Sequence, residues 1–230
     1  MGLGLLIALA WAWLALWDMP GGGEIFTLAN YLTMSLMWAI MMVAMMVPSA
    51  LPMILLYSTS VKKAEADGGH LAPLSVFILG YIIIWTLFSG FAALLQLVLQ
   101  EAGFVNKMLV GTSPWLTGGV LILAGGYQLS PWKDQCLRFC QHPVMFITKY
   151  WRTGRFGALK MGFLHGGFCV GCCWALMLLL FVGGVMNLLW VAAIAIYVLA
   201  EKILPLPRRW PQISGGLIIM AGLVLGFQMI

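Results

Sequence analysis

The run Met161-Gly-Phe-Leu-His165-Gly-Gly-Phe-Cys169-Val-Gly-Cys172-Cys173-Trp174 gathers a thioether, an imidazole and three thiols in one short stretch. At about 100° per residue on a helix, Met161, His165, Cys169 and Cys172 fall within an arc of about 80°, and Cys173 lies beside it. These are the ligand types that soft metals such as Cu(I) select; zinc shares the thiolate and imidazole ligands. Cys169 lies about 13 Å along the helix from Lys160, at about 1.5 Å per residue. In a membrane that puts the stripe near the midplane, where a histidine is costly without a partner. A plainer reading treats buried free cysteine as a small hydrophobe and lets His165 bond a neighbouring carbonyl.

A second concentration of sulfur precedes it. Met34, Met37, Met41, Met42, Met45 and Met46 stand within thirteen residues. Met34, Met37, Met41 and Met45 share an arc of about 80° on a helix, and Met42 and Met46 widen it. Such a ladder of weak thioether ligands would pass Cu(I) along without trapping it; the alternative is that methionine fills irregular apolar gaps. Pro48 and Pro52 follow on the same side and release backbone carbonyls. Cys136 and Cys140, four apart, share a helix face, with His142 close behind. They suit a metal exit site, a sensor or a dithiol. Glu201-Lys202 reads as an interfacial ion pair with a snorkelling lysine; alternatively, Glu201 acts as a proton or metal partner. No phosphate loop, nucleotide fingerprint, serine elbow or His-Glu-x-x-His pattern is present.

The elements that must hold these residues are membrane helices. Of 230 residues, 63% are hydrophobic and 8% charged, against about 25% charged in a soluble domain. The apolar blocks are apolar all round, which argues for helices over the alternating strands of a barrel. The expected fold is all-α, one polytopic transmembrane bundle of about seven spans: Gly2–Trp17, Leu28–Tyr57, Leu71–Leu99, Trp115–Trp132, Phe156–Phe181, Val185–Leu204 and Ile213–Ile230. The first span reads as a retained helix, not a signal peptide. A cytoplasmic loop covers about 131–155. The net charge of +5 then has a simple cause. With a cytoplasmic N-terminus and seven spans, every Lys and Arg except Lys107 falls on the inner side, as the positive-inside rule requires. The C-terminus lies outside, in the cytoplasmic (inner) membrane of a bacterium. No nucleic-acid partner is implied. Gly118-Gly119-Val-Leu-Ile-Leu-Ala124-Gly125 also echoes Gly215-Gly216-Leu-Ile-Ile-Met-Ala221-Gly222, as an inverted repeat would.

Trp38 with Ala44-Met-Met-Val-Pro-Ser-Ala-Leu-Pro52, Gly126-Tyr-Gln-Leu-Ser-Pro-Trp-Lys133 with Cys136 and Cys140, Cys169-Val-Gly-Cys-Cys-Trp-Ala-Leu-Met177, Gly184-Val-Met-Asn187 and Glu201-Lys202 together resemble a bacterial family of predicted metal-binding integral membrane proteins. The resemblance implies a polytopic helical protein with a metal site, without an established activity. The combined expectation is Cu(I) handling: Met34, Met37, Met41 and Met45 accept the ion from outside, Met161, His165, Cys169, Cys172 and Cys173 hold it near the midplane, and Cys136 and Cys140 exchange it inside. A metallochaperone or membrane-complex partner, or an oligomer, is compatible with this. The rivals are a membrane thiol–disulfide oxidoreductase working through Cys169 and Cys172, and a structural subunit whose cysteines only pack.

Overall fold

A computed structural model describes residues 2–16, 26–66, 71–105, 113–204, 207 and 209–227. The described residues are helical almost throughout. In chain order the helices are α1 (Gly2–Leu16), α2 (Leu28–Ser49), α3 (Leu51–Ala66), α4 (Leu74–Glu101), α5 (Pro114–Gln128), α6 (Pro131–Gln141), α7 (Pro143–Tyr150), α8 (Gly154–Leu178), α9 (Leu180–Gly183), α10 (Leu188–Ile203) and α11 (Trp210–Phe227).

Proline and polar caps set most of the boundaries. The Thr27 hydroxyl accepts from the Asn30 amide at 3.2 Å and starts α2. Pro48 and Pro52 remove two amides from the helical ladder, so the expected Leu28–Tyr57 span breaks at Ala50 into α2 and α3. Pro114, Pro131 and Pro143 each occupy a first helical position, where a missing N–H costs nothing. The stretch 131–155, expected as a loop, contains two helices. The Ser130 hydroxyl caps the first of them by accepting from the Trp132 amide at 3.2 Å. Gly184, with φ of +90°, turns the chain between α9 and α10; a side chain there would be strained.

Helices α2, α4 and the α8–α9 rod form the centre, and these three are long and apolar enough to cross a membrane. Helices stand at all seven expected spans. However, α1, α5 and α10 have 15, 15 and 16 residues, roughly 22–24 Å at 1.5 Å per residue, short of a hydrocarbon core of about 30 Å. Large apolar side chains such as Leu87, Phe91, Leu217 and Met220 point outward, while the methionines of α2 and the cysteines of α8 fill the interior.

Two glycine joints fix the framework. A methyl at Gly162 would fall on the Phe77 carbonyl, one at Gly80 on the Leu159 carbonyl, and one at Gly166 against Ile84. The order of these contacts makes α4 and α8 parallel, with backbones nearly touching, as glycines without side chains allow. In the second joint, Gly118 meets Gly222 and Gly125 meets Gly215, so α5 and α11 are antiparallel. The two echoing stretches are therefore each other's packing partners. Met46 with Cys173 and Trp38 with Phe181 set α2 antiparallel to α8.

Candidate metal centre

Helix α8 presents its sulfurs toward three neighbours. Cys169, Cys172 and Cys173 are all buried, and all five cysteines are free thiols. Within α8, both the Cys172 and Cys173 thiols donate to the Cys169 carbonyl, at 3.1 and 2.9 Å. That bond turns each sulfur back toward the preceding turn and brings it beside Cys169.

The partners come from elsewhere in the chain. Cys140 Sγ on α6 lies 4.0 Å from Cys172 Sγ. Met46 Sδ on α2 lies 4.0 Å from Cys173 Sγ. The Tyr81 hydroxyl on α4 lies 3.1 Å from Cys169 Sγ and 3.0 Å from the Met46 carbonyl. Lys202 Nζ on α10 donates to Cys169 Sγ at 2.8 Å and to Ser49 Oγ at 3.1 Å. Gly171 leaves room for Cys136, whose sulfur would collide with any added methyl. The thiols expected in two separate places, Cys136 and Cys140 in a loop and the other three in a span, therefore form one cluster. Helix α6 closes over α8 to make it.

His165 stands one turn before Cys169, walled by Phe146, Tyr81 and Phe77 at ring-centroid distances of 5.2, 5.8 and 6.1 Å. Its Nδ1 is buried without a hydrogen-bond partner among the described residues. Met161 lies farther toward the start of α8, where its sulfur accepts from the Arg152 amide at 3.3 Å. The methionines of α2 are all buried. Met37 and Met41 edge a small crevice with Met186 and Val191. Met34 is engaged by Gln96, whose Nε2 donates to its sulfur at 3.2 Å, while the Trp38 indole donates to Gln96 Oε1 at 2.6 Å. Among the described residues neither Met34 nor Met161 makes a hydrogen bond to a cysteine. Met46, counted only as widening the stripe, does.

Two features escape sequence reasoning. Glu201 and Lys202 form no interfacial pair: they are 3% and 4% exposed and turn to different partners. Glu201 Oε2 pairs with Lys133 Nζ of α6 at 2.7 Å, that lysine being 1% exposed. Glu201 Oε1 accepts from Gln128 at 3.0 Å and from the Tyr197 hydroxyl at 2.8 Å. Gln141, at the other end of α6, donates to the Glu201 backbone carbonyl at 2.8 Å. Helix α6 is thus pinned to α10 at both ends. The only sequence hint was two charges inside an otherwise apolar helix end.

The donor set is made of soft sulfurs. Among the described residues no group of three or more His, Cys, Asp or Glu side chains is arranged to hold a metal ion. The sulfurs meet in pairs across helices, Cys140 with Cys172 and Met46 with Cys173. Thiolate and thioether donors of this kind are ligands for Cu(I), and the thiolates also for zinc. The model of the PpoB2 family, described as a copper chaperone, matches residues 35–225. The chain belongs to this family of copper chaperones. The matched stretch contains every sulfur of the cluster and places the chain in copper handling. No curated protein and no solved structure matches the chain.

Proposed function

We propose that the chain is a multi-pass membrane copper chaperone that takes up Cu(I) among the α2 methionines and hands it on through the cysteines where α8 meets α6. In this reading copper is cargo. Met37 and Met41, with Met34 beyond them, receive the ion at the outer end, and Met45 and Met46 lead it inward. Cys173, Cys172 and Cys169 take it from Met46, with His165 and Met161 continuing the same stripe. Cys140 and Cys136 carry it to the inner side, beside a cleft of about 520 Å³ lined by Arg138, Gln141, His142 and Met145. The observation that carries the reading is the meeting of Cys140 and Cys172 at 4.0 Å, because it joins two sulfur motifs from separate parts of the sequence in a family of copper chaperones.

The membrane setting proposed here is the bacterial inner membrane, crossed seven times, with the N-terminus cytoplasmic and the C-terminus outside. The parallel α4–α8 pair and the antiparallel α5–α11 and α2–α8 pairs agree with that alternation. An acceptor metalloprotein or membrane complex would take the ion at the inner cleft.

The test is Cu(I) loading of detergent-purified protein, read by elemental analysis and by X-ray absorption at the copper edge. About one Cu(I) per chain with sulfur-only nearest neighbours is expected. Cys140→Ser and Cys172→Ser should each lose most of it. Metal content unchanged in both variants would overturn the relay. A Cys140–Cys172 disulfide forming and cycling in place of metal binding would move the function to thiol–disulfide exchange.

A further inference from the structure

Lys202 is a buried cation with no carboxylate within ion-pair distance among the described residues. Its neighbour Glu201 is committed to Lys133. Its Nζ faces sulfur on one side, Cys169 at 2.8 Å, and the Ser49 hydroxyl on the other, at 3.1 Å. Ser49 is the last residue of α2, so the ammonium also sits by the negative end of that helix. A lysine this deep is costly unless something compensates it, and the compensating group is the sulfur cluster itself.

We infer that Lys202 is a specificity-determining residue, a fixed positive charge that makes the cysteine cluster a site for a monovalent metal ion and excludes divalent ones. The inference rests on the cluster binding Cu(I). Ligand thiols bind metal as thiolates. Two thiolates around Cu(I) carry one net negative charge, which the Lys202 ammonium cancels. Among the described residues the sulfurs meet in pairs, with no group of three or more arranged around one point. Zn(II) or another divalent ion would therefore also find two thiolates and be neutral there, and the ammonium would leave one uncompensated positive charge in a site cut off from water. Uncompensated buried charge is the most expensive state such a site can adopt. Both metals would meet the same sulfurs. The lysine's effect therefore appears in the ratio of the two affinities.

A unit charge about 4 Å away at an effective dielectric constant of about 20 changes the Zn(II)-to-Cu(I) affinity ratio by roughly a hundred- to a thousandfold. The experiment uses the full chain in detergent. Cu(I) and Zn(II) dissociation constants are measured by competition with chromophoric chelators for the wild type, Lys202→Met, Lys202→Arg and Ser49→Asp. Lys202→Met should shift the ratio toward Zn(II) by that order. Ser49→Asp, which keeps the lysine and neutralises it, should shift it the same way, and Lys202→Arg should stay near the wild type. A ratio within a few-fold of wild type in both the Met and Asp variants would overturn the assignment while leaving the Cu(I) site standing. An arginine variant that behaves like methionine would also overturn it, because charge would then not be the cause. A wild type whose cysteines bind no Cu(I) would overturn the relay, and this inference with it.

Discussion

At the scale of single residues, the proposed relay assigns the chemistry to sulfur, and a few polar side chains decide which sulfurs are free for it. Gln96 is buried and spends both ends of its amide, one on Trp38 and one on Met34. Gln96→Leu removes the acceptor of the Trp38 indole and leaves that donor unsatisfied at a cost of about 1–3 kcal/mol, whereas Met34→Leu strands a Gln96 amide N–H whose bond ended on a weak thioether acceptor, a smaller loss. The thermal midpoint in detergent should therefore fall clearly more for Gln96→Leu, and equal midpoints would contradict the geometry. The same comparison explains what could be read from residue order alone. Cys169, Cys172 and Cys173 announce themselves because three thiols on one helix turn are a local pattern. Lys202 and Gln96 do not, since each acquires its meaning from an atom 33 or more residues away, and no helical period reports such a distance.

At the scale of elements, two devices position the site. The first is the α4–α8 joint. Gly162→Ala puts a methyl against the Phe77 backbone, whereas a methyl at Gly167 meets nothing within 4 Å. Overpacking of this kind costs about 1–3 kcal/mol or more, so Gly162→Ala should lower both the thermal midpoint and Cu(I) loading, and Gly167→Ala should change neither. The second is the pinning of α6. Lys133→Met strands the Glu201 carboxylate, and breaking one side of a buried pair costs about 3–5 kcal/mol. Alkylation of Cys140 should accelerate in that variant as α6 loosens. Restoring slow alkylation with Lys133→Met/Glu201→Gln, which removes both charges, would show that the stranded charge was responsible; equally fast alkylation in wild type and Lys133→Met would refute the pinning. The polar composition of 131–155 reads as a loop because a helix docked by two polar ends and a thiol face carries no apolar run. The break at Ala50 was signalled by Pro48 and Pro52, yet a continuous apolar run masked it.

At the scale of the whole molecule, the all-α character and the apolar exterior follow from composition. How many helices cross a membrane depends on lengths that proline and glycine trim, and apolar runs overstate those lengths. Single-cysteine labelling from either side of membrane vesicles, on a cysteine-free background, tests the proposed topology: positions near Lys62 and Arg138 should label from the cytoplasmic side and positions near Lys107 from the outside. Labelling of all three from one side would require a different arrangement.

The unequal helix lengths have a consequence for the lipid around the protein. Helix α4 has 28 residues, against 15 for α5 and 18 for α11. At about 1.5 Å per residue these are roughly 42, 22 and 27 Å. In the proposed membrane setting, the outward face of α4 would meet the bilayer as a tall surface, which must tilt, and the α5–α11 pair as a short one, which must thin the bilayer. The α5–α11 pair would then gather lipids with shorter acyl chains, and the protein would rock as bilayer thickness changed. Copper transfer reconstituted in a series of phosphatidylcholines of increasing chain length should therefore peak at an intermediate thickness, the one at which neither surface strains the α6–α8 contact that joins Cys140 to Cys172.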